Sequence, residues 1–392
     1  MFVIESGKTE LMRLPTVLLS RLALQQQTPG PTSPATPMPL MVRGTTYTMA
    51  QEATALDAEH FAVGRWDGSL QIYRFAPQTQ AGPIISKAVN CPAQEGVQMI
   101  VALDPARFAS SNDESSVALW SSPVPGEWQN LQLTDLLQYD PSWGVANSAA
   151  AARHDESDGW LLIGHANGFV SLWASDGFKW RLIRGVDVRA THPLNPWGLR
   201  NVRGIEIVAC QKDSGIAVSG SEDGDLTLLE FPSGRIVSKT PYNPEAQRGI
   251  NALAFRAGIL LAANCAVGST DKNLWAYSID LTNGRIQLTD CVNLAVDIQA
   301  PQTFNFDVIW GGSINGAPAF LSSTEEGLLW LGTAAAGGKL SIIGHVPVSY
   351  APGSKQVLHL GSGVCHHSGR VAVAAYDVAH LDVLDQQSTA SS

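Results

Sequence analysis

Three groups of residues in this chain have types and spacings that could do chemistry. The first is the stretch HLGSGVCHHSG (359–369), which gathers His359, Cys365, His366 and His367. Imidazole and thiolate are zinc ligands, and a zinc site needs about four of them converging from two directions. Adjacent His366 and His367 would point to opposite faces of an extended backbone, and no second ligand pair accompanies them. The stretch reads as a strand and a turn, with no metal expected. The second group comprises the paired carboxylates Asp113-Glu114 and Glu325-Glu326. Acid–base catalysis at a glycosidic bond needs two carboxylates facing across a substrate. These pairs lie at turns, where water or the turn backbone satisfies them. No GxSxG, P-loop, HExxH or helix-opening GxGxxG is present. The expectation is therefore no catalytic residue, no cofactor and no enzyme.

The third group is more suggestive. Residues 179–203 carry Lys179, Arg181, Arg184, Arg189, Arg200 and Arg203 against a single acid, Asp187. That is +5 in a chain whose net charge is −10, so the remainder is −15. Lys179, Arg181 and Arg184 suit the solvent face of an outer strand. Arg189, Arg200 and Arg203 lie in or beside the long loop THPLNPWGLR with Trp197. Other loops echo it: YDPSWG with Tyr139 and Trp143, PYNPEAQRG with Tyr242 and Arg248, and VPVSYAPGSK with Tyr350 and Lys355. Arginines and aromatic rings on one face are what binding hot spots use. The expected partner-binding surface is Trp143, Trp197, Arg200, Arg203, Tyr242 and Arg248, facing an acidic protein segment.

What must position these loops is a repeating hairpin. AVGRWDGSLQIY (62–73) is echoed by FASSNDESSVALW (108–120), LLIGHANGFVSLW (161–173), AVSGSEDGDLTLL (217–229), GSTDKNLWAY (268–277), FLSSTEEGLLWL (320–331) and VAAYDVAHLDVL (373–384). The copies end at Tyr73, Trp120, Trp173, Leu229, Tyr277, Leu331 and Leu384, in steps of 47, 53, 56, 48, 54 and 53 residues. A period near fifty signals a propeller or an array. Each copy runs from a small-residue strand through a tight turn to an alternating strand. Asp67-Gly68, Asn167-Gly168 and Asp223-Gly224 supply the positive φ that such turns demand. Apolar strands are expected upstream, at 97–103, 204–210, 250–255, 306–310 and 356–360, and downstream, at 83–89, 179–186, 234–239, 284–290 and 339–343. Four strands per unit and seven units predict an all-β fold, a seven-bladed β-propeller of four-stranded antiparallel blades.

The hairpin copies resemble the second half of WD40 repeats over roughly residues 40–385, SGSEDGDLTLL most closely. The dipeptide Trp66-Asp67 is not the signature of such a repeat. It sits one turn too early, with Asp67 in the turn-aspartate position and Trp66 at the surface. The sequence also departs from the pattern. Gly164-His165 and Gly344-His345 are not where a repeat opens, and the His–Asp–Ser–Trp set is incomplete in every copy. Kelch repeats share the period, but Gly311-Gly312 and Gly337-Gly338 do not recur in register.

The boundaries that follow are an N-terminal arm (1–24), a Pro/Thr/Gln-rich linker (25–39), the propeller (40–385) and a polar tail (386–392). LMVRGTTYT (40–48) is expected to pair as the outermost strand of the last blade, which removes an exposed edge. The acidic balance (25 Lys and Arg against 35 Asp and Glu) argues against a chain built to bind nucleic acid. Five scattered cysteines without CxxC read as reduced thiols inside the cell. No membrane span is expected, and the place is cytoplasmic or nuclear, with mitochondrial import as the alternative. The resemblance implies a non-enzymatic platform for other protein subunits. The alternative is a propeller enzyme or ligand sensor with its site at the central channel. The small, mostly uncharged strands Ala-Val-Gly, Ala-Ser-Ser, Val-Ser-Gly-Ser and Ala-Ala-Asn weigh against that alternative.

Overall fold

The computed structural model describes residues 50–75, 84–90, 96–153, 158–177, 179–190, 198–242, 249–266, 272–294, 303–314, 316–324, 328–347, 363–367, 370–374 and 378–382. The arm, the linker, the 40–48 strand and the tail lie outside these residues.

Antiparallel sheets follow one another along the chain. Blade 1 is β1 (Ala50–Ala55), β2 (His60–Arg65), β3 (Ser69–Arg74) and β4 (Ile85–Ala88). Blade 2 is β5 (Ile100–Asp104), β6 (Arg107–Asp113), β7 (Ser116–Ser121) and β8 (Gln132–Gln138). Blade 3 is β9 (Ala146–Arg153), β10 (Asp158–His165), β11 (Phe169–Asp176) and β12 (Trp180–Asp187). Blade 4 is β13 (Val202–Cys210), β14 (Gly215–Ser221), β15 (Asp225–Phe231) and β16 (Ile236–Pro241). Blade 5 is β17 (Ile250–Arg256), β18 (Ile259–Ala266), β19 (Leu274–Asp280) and β20 (Arg285–Val292). Blade 6 is β21 (Thr303–Ile314), β22 (Ala317–Thr324), β23 (Leu328–Ala334) and β24 (Leu340–Pro347). A three-stranded sheet follows, made of β25 (Val364–His367), β26 (Arg370–Ala374) and β27 (Val378–Asp382).

This corrects the expected count. Among the described residues six four-stranded blades are present rather than seven, blades 5 and 6 being joined by a short β18–β21 pairing, and the last unit has three strands. Its first described strand was not among those expected. β25 lies at 364–367, so His366 and His367 belong to a strand, while 356–360 falls outside the described residues. The seventh copy lacks the turn residues that mark the others, and this is where the pattern is hardest to place.

The first strands lie side by side in chain order, and β25 and β26 pack against β1. Side chains stitch neighbouring first strands together: Thr54 Oγ1 donates to Ile100 O (2.8 Å), Ser148 Oγ to Val202 O (2.7 Å) and Asn251 Nδ2 to Asn305 O (2.9 Å). Small residues on the second strands permit the close approach. A Cβ on Gly64 would sit 2.6 Å from Val97 O, and one on Gly164 would sit 2.6 Å from Val202 Cγ1. The Asp-Gly and Asn-Gly turns form as expected, with φ of 76° at Gly68, 78° at Gly168 and 107° at Gly224.

The core lies between blades. Leu56, Leu70 and Ile72 of blade 1 pack with Phe108, Trp120 and Trp128 of blade 2. Equivalent clusters join blade 2 to 3, 3 to 4, 4 to 5 and 5 to 6. The third-strand tryptophans of blades 2, 5 and 6 each bond to a polar atom on the second strand. Trp120 Nε1 donates to Ser110 Oγ (3.0 Å), Trp275 Nε1 to Asn264 Oδ1 (3.3 Å) and Trp330 Nε1 to Thr324 Oγ1 (3.2 Å). A large apolar ring is thereby buried with its N–H satisfied.

Candidate functional site

Inter-blade loops dock on hairpin turns, so loops and turns share one face. Val97 N donates to Arg65 O (3.0 Å), Ala166 N to Val145 O (3.0 Å), Glu222 N to Asn201 O (2.9 Å) and Tyr242 N to Gly224 O (2.8 Å). Of the six residues expected to bind a partner, four are described, and these four do not form one exposed surface. Tyr242 is 2% exposed and packs on Trp275 and Tyr277, whose hydroxyl donates to its carbonyl (2.9 Å). Trp143 is half-buried, stacked on Phe169 and Tyr139, and covers the space a Cβ on Gly185 would need. Both rings pack on the blade that follows their loop. Arg203 is held by Glu222 (3.3 Å) and Gln98 (2.8 Å). Arg200 is exposed, beside Leu199 at 47% exposure. Trp197 and Arg248 lie outside the described residues. Of the neighbouring cations, Arg189 is paired with Asp187, and Lys179, Arg181 and Arg184 are exposed on or beside β12, as expected.

Near the axis, a feature recurs that sequence reasoning missed. β1, β9, β13, β17 and β21 each carry a bulge, at Gln51, Asn147, Arg203, Asn251 and Phe306. A bulge leaves one residue outside the ladder and re-aims its side chain. Blade 2 has Gln98 at the corresponding place, one residue before Met99, whose carbonyl accepts from Ser111 N (2.9 Å). Arg203 Nη1 reaches from blade 4 to Gln98 Oε1 of blade 2. Asn147 Nδ2 donates to Asn201 Oδ1 (3.0 Å), and Asn201 Nδ2 donates to Glu222. These bonds rim a central opening. The only signal for them was a polar residue at or near the start of the inner apolar runs, and that does not distinguish a bulge from a regular strand start.

Below this rim lies a cavity of about 350 Å³ lined from blades 1 to 6 and from Cys365 of β25. Glu52 of β1, Glu206 of β13 and Asp307 of β21 face it. This overturns the expectation of an uncharged axis. The small-residue strands are second strands, whereas first strands line the channel, and those carry carboxylates. Burial, reinforced by the Asp307 charge, pushes Glu206 up to about 8 and raises Glu52 well above the usual carboxylate range. Burial also raises the Cys365 thiol. Two polar atoms of lining residues are buried without a partner, Asn147 Oδ1 and Trp310 Nε1. Among the described residues no three His, Cys, Asp or Glu side chains are placed to hold a metal ion.

Blade 3 holds a buried relay assembled from unexpected positions. Trp173 Nε1 donates to Ser171 Oγ (2.9 Å), Ser171 Oγ lies 2.8 Å from His165 Nε2, and His165 Nδ1 lies 3.2 Å from Gly144 O. Burial pushes His165 down to about 3, so the ring is neutral. A neutral ring donates from Nδ1 to Gly144 and accepts at Nε2 from Ser171. This is a structural cap joining loop to turn, and it does not reach the cavity.

No protein-family model matches this sequence, and no curated protein matches it. Solved structures do. The Cps50 (Swd1) β-propeller domain of Myceliophteria thermophila superposes with a TM-score of 0.56 at 12% identity, over 86% of this chain and 97% of that one. The fold is a β-propeller. The computationally designed Ika8 protein also matches, with a TM-score of 0.49 at 13% identity over 85% of this chain and 83% of its own. The superposition on Swd1 shows the propeller fold. Among the described residues no helix is long and apolar enough to cross a membrane.

Proposed function

We propose that this propeller is a non-enzymatic protein-interaction platform inside the cell, a subunit or adaptor that receives an acidic protein segment on its turn-bearing face. The observation that carries the reading is the exposed pair Leu199 and Arg200, presented on a loop held by the blade 4 turn through Glu222 N and Asn201 O. A cation beside an apolar side chain on a rigid mount is the chemistry of a hot spot for an acidic segment. Trp197 and Arg248, close in sequence to that loop and to blade 5, complete the proposed surface. Trp143, Arg203 and Tyr242 hold the scaffold beneath it. The test is affinity capture with the full chain, followed by titration of the purified partner against the Trp197→Ala, Arg200→Ala double variant. A loss of about tenfold or more in affinity is expected, equivalent to about 1.4 kcal/mol. A folded variant that binds like the parent sinks the reading.

The three-stranded sheet is, in this proposal, a seventh blade completed by residues 40–48, with 1–24 a docking arm on the 25–39 linker. An unpaired β27 edge would invite aggregation. Deleting 1–39 should therefore leave a monodisperse protein by light scattering, and deleting 1–48 should give aggregates. Identical behaviour of the two truncations would remove 40–48 from the fold.

A further inference from the structure

We propose that the central cavity binds a linear organic amine, of the diamine or polyamine class, whose N–H groups bond to Asn147 Oδ1 and to the carboxylates of Asp307, Glu52 and Glu206. The inference is separate from the interaction surface, which lies on the loops.

The wall offers acceptors in a fixed orientation. Asn201 Nδ2 is directed at Glu222, which leaves Asn201 Oδ1 toward Asn147 and fixes Asn147 Nδ2 as the donor between them. Asn147 Oδ1 is thereby left as the acceptor with no partner, on a side chain whose residue is only 6% exposed. A buried carbonyl oxygen without a donor is costly, and a ligand N–H removes that cost. Three carboxylates line the same space from blades 1, 4 and 6. Among the described residues, the one cation lining it, Arg203, is engaged by Glu222 and Gln98 at the rim. The described lining therefore brings three carboxylates and an unpartnered accepting oxygen to one space.

Size and spacing select the class. About 350 Å³ lies at the lower end of the range of small-molecule sites. The carboxylates are too dispersed for any three to share a metal ion, whereas amine groups spaced along a methylene chain can meet them one by one. Met99, Leu253 and the Trp310 ring supply apolar wall for the methylenes, and an indole face attracts an ammonium group. The Trp310 N–H gains no acceptor from such a ligand and contributes nothing to the recognition. Burial and the Asp307 charge raise Glu52 and Glu206, and an entering ammonium group offsets that repulsion.

The experiment is calorimetric titration of the full chain with spermidine at pH 8 and moderate salt, with tetramethylammonium and potassium as controls. One-to-one binding of spermidine is expected, with neither control binding or competing. Asp307→Asn should weaken it at least tenfold. Glu206→Gln, which preserves shape, should weaken it severalfold and serves if the first variant does not fold. Absence of spermidine binding overturns the proposal. So does equal binding of tetramethylammonium, which has the charge without the N–H, or competition by potassium, which would make the site one for a bare ion. Binding unchanged in a folded Asp307→Asn or Glu206→Gln variant would show attraction to the acidic surface only, and overturns it equally.

Discussion

Replacing Trp128 with alanine is expected to lower the unfolding free energy by about 3–5 kcal/mol, the range for removing a large aromatic ring from a core. Trp128 opens a short 3₁₀ turn, Trp128–Asn130, between the third and fourth strands of blade 2. It is 0% exposed and packs with Phe108 and with blade 1 residues Leu56, Leu70 and Ile72. Its Nε1 crosses to blade 1 and donates to Asp57 Oδ2 at 2.7 Å. Asp57 also accepts from Glu59 N and from the backbone and ring of His60. Burial would raise the Asp57 carboxyl, but the bonds from Trp128, Glu59 and His60 outweigh it and hold the group below its usual value. Trp128→Phe keeps most of the volume and loses the bond, so about 1–3 kcal/mol is expected. The sign of its pH dependence follows. A depressed carboxylate stabilises the fold above its unfolded pKa, and that stabilisation is lost as pH falls through the folded value. The gap between parent and Trp128→Phe should therefore narrow below about pH 4. Chemical denaturation of the three proteins at pH 7 and pH 3.5 checks both claims. A phenylalanine variant as stable as the parent at pH 7 would show that the bond contributes nothing.

Glu206→Gln is expected to stabilise the propeller at pH 8 and to do nothing near pH 4.5. Glu206 titrates near 8 in the fold, against an ordinary value of 4.5. A group raised in this way stabilises fully below its unfolded pKa, and that contribution drains away as pH rises through the folded value. The parent should therefore lose stability between about pH 4.5 and pH 8, by on the order of 2–4 kcal/mol from this group. Glutamine stays neutral throughout and removes that slope. Glu52 acts with the same sign, so the single variant should retain a shallower slope and a Glu52→Gln, Glu206→Gln pair should be flatter still. Melting temperatures across this pH range provide the measurement. A Glu206→Gln protein less stable than the parent at pH 8 would show that the carboxylate is ionised and compensated in the fold.

The hairpin copies were legible because turn chemistry is local. Gly68, Gly168 and Gly224 take the positive φ that their Asp-Gly and Asn-Gly contexts demanded. The third-strand residues Tyr73, Trp120, Trp173, Leu229, Tyr277 and Leu331 fall in β3, β7, β11, β15, β19 and β23. The fourth strands of blades 1, 3, 4, 5 and 6 overlap the apolar runs expected for them. The seventh copy, without turn glycine or aspartate, was less legible: a strand at 364–367 went unanticipated, and the expected 356–360 falls outside the described residues.

The site was far less legible. Trp143 and Tyr242 look like loop aromatics in the sequence, but whether a ring faces water or caps a blade depends on what packs over it. Gly185 makes room for one, and Trp275 and Tyr277 enclose the other. Glu52, Glu206 and Asp307 stand more than a hundred residues apart in the chain, each in an ordinary-looking strand. Local patterning thus determined the repeat, its turns and most strand positions, since backbone conformation and period depend on residues near in sequence. The arrangement of sheets around an axis decided which strand of each unit lines the channel, where a bulge turns a polar side chain onto the rim, and that three carboxylates share one buried cavity. Those properties arise from non-local packing and from the desolvation it imposes, and neither is written in any short stretch of residues.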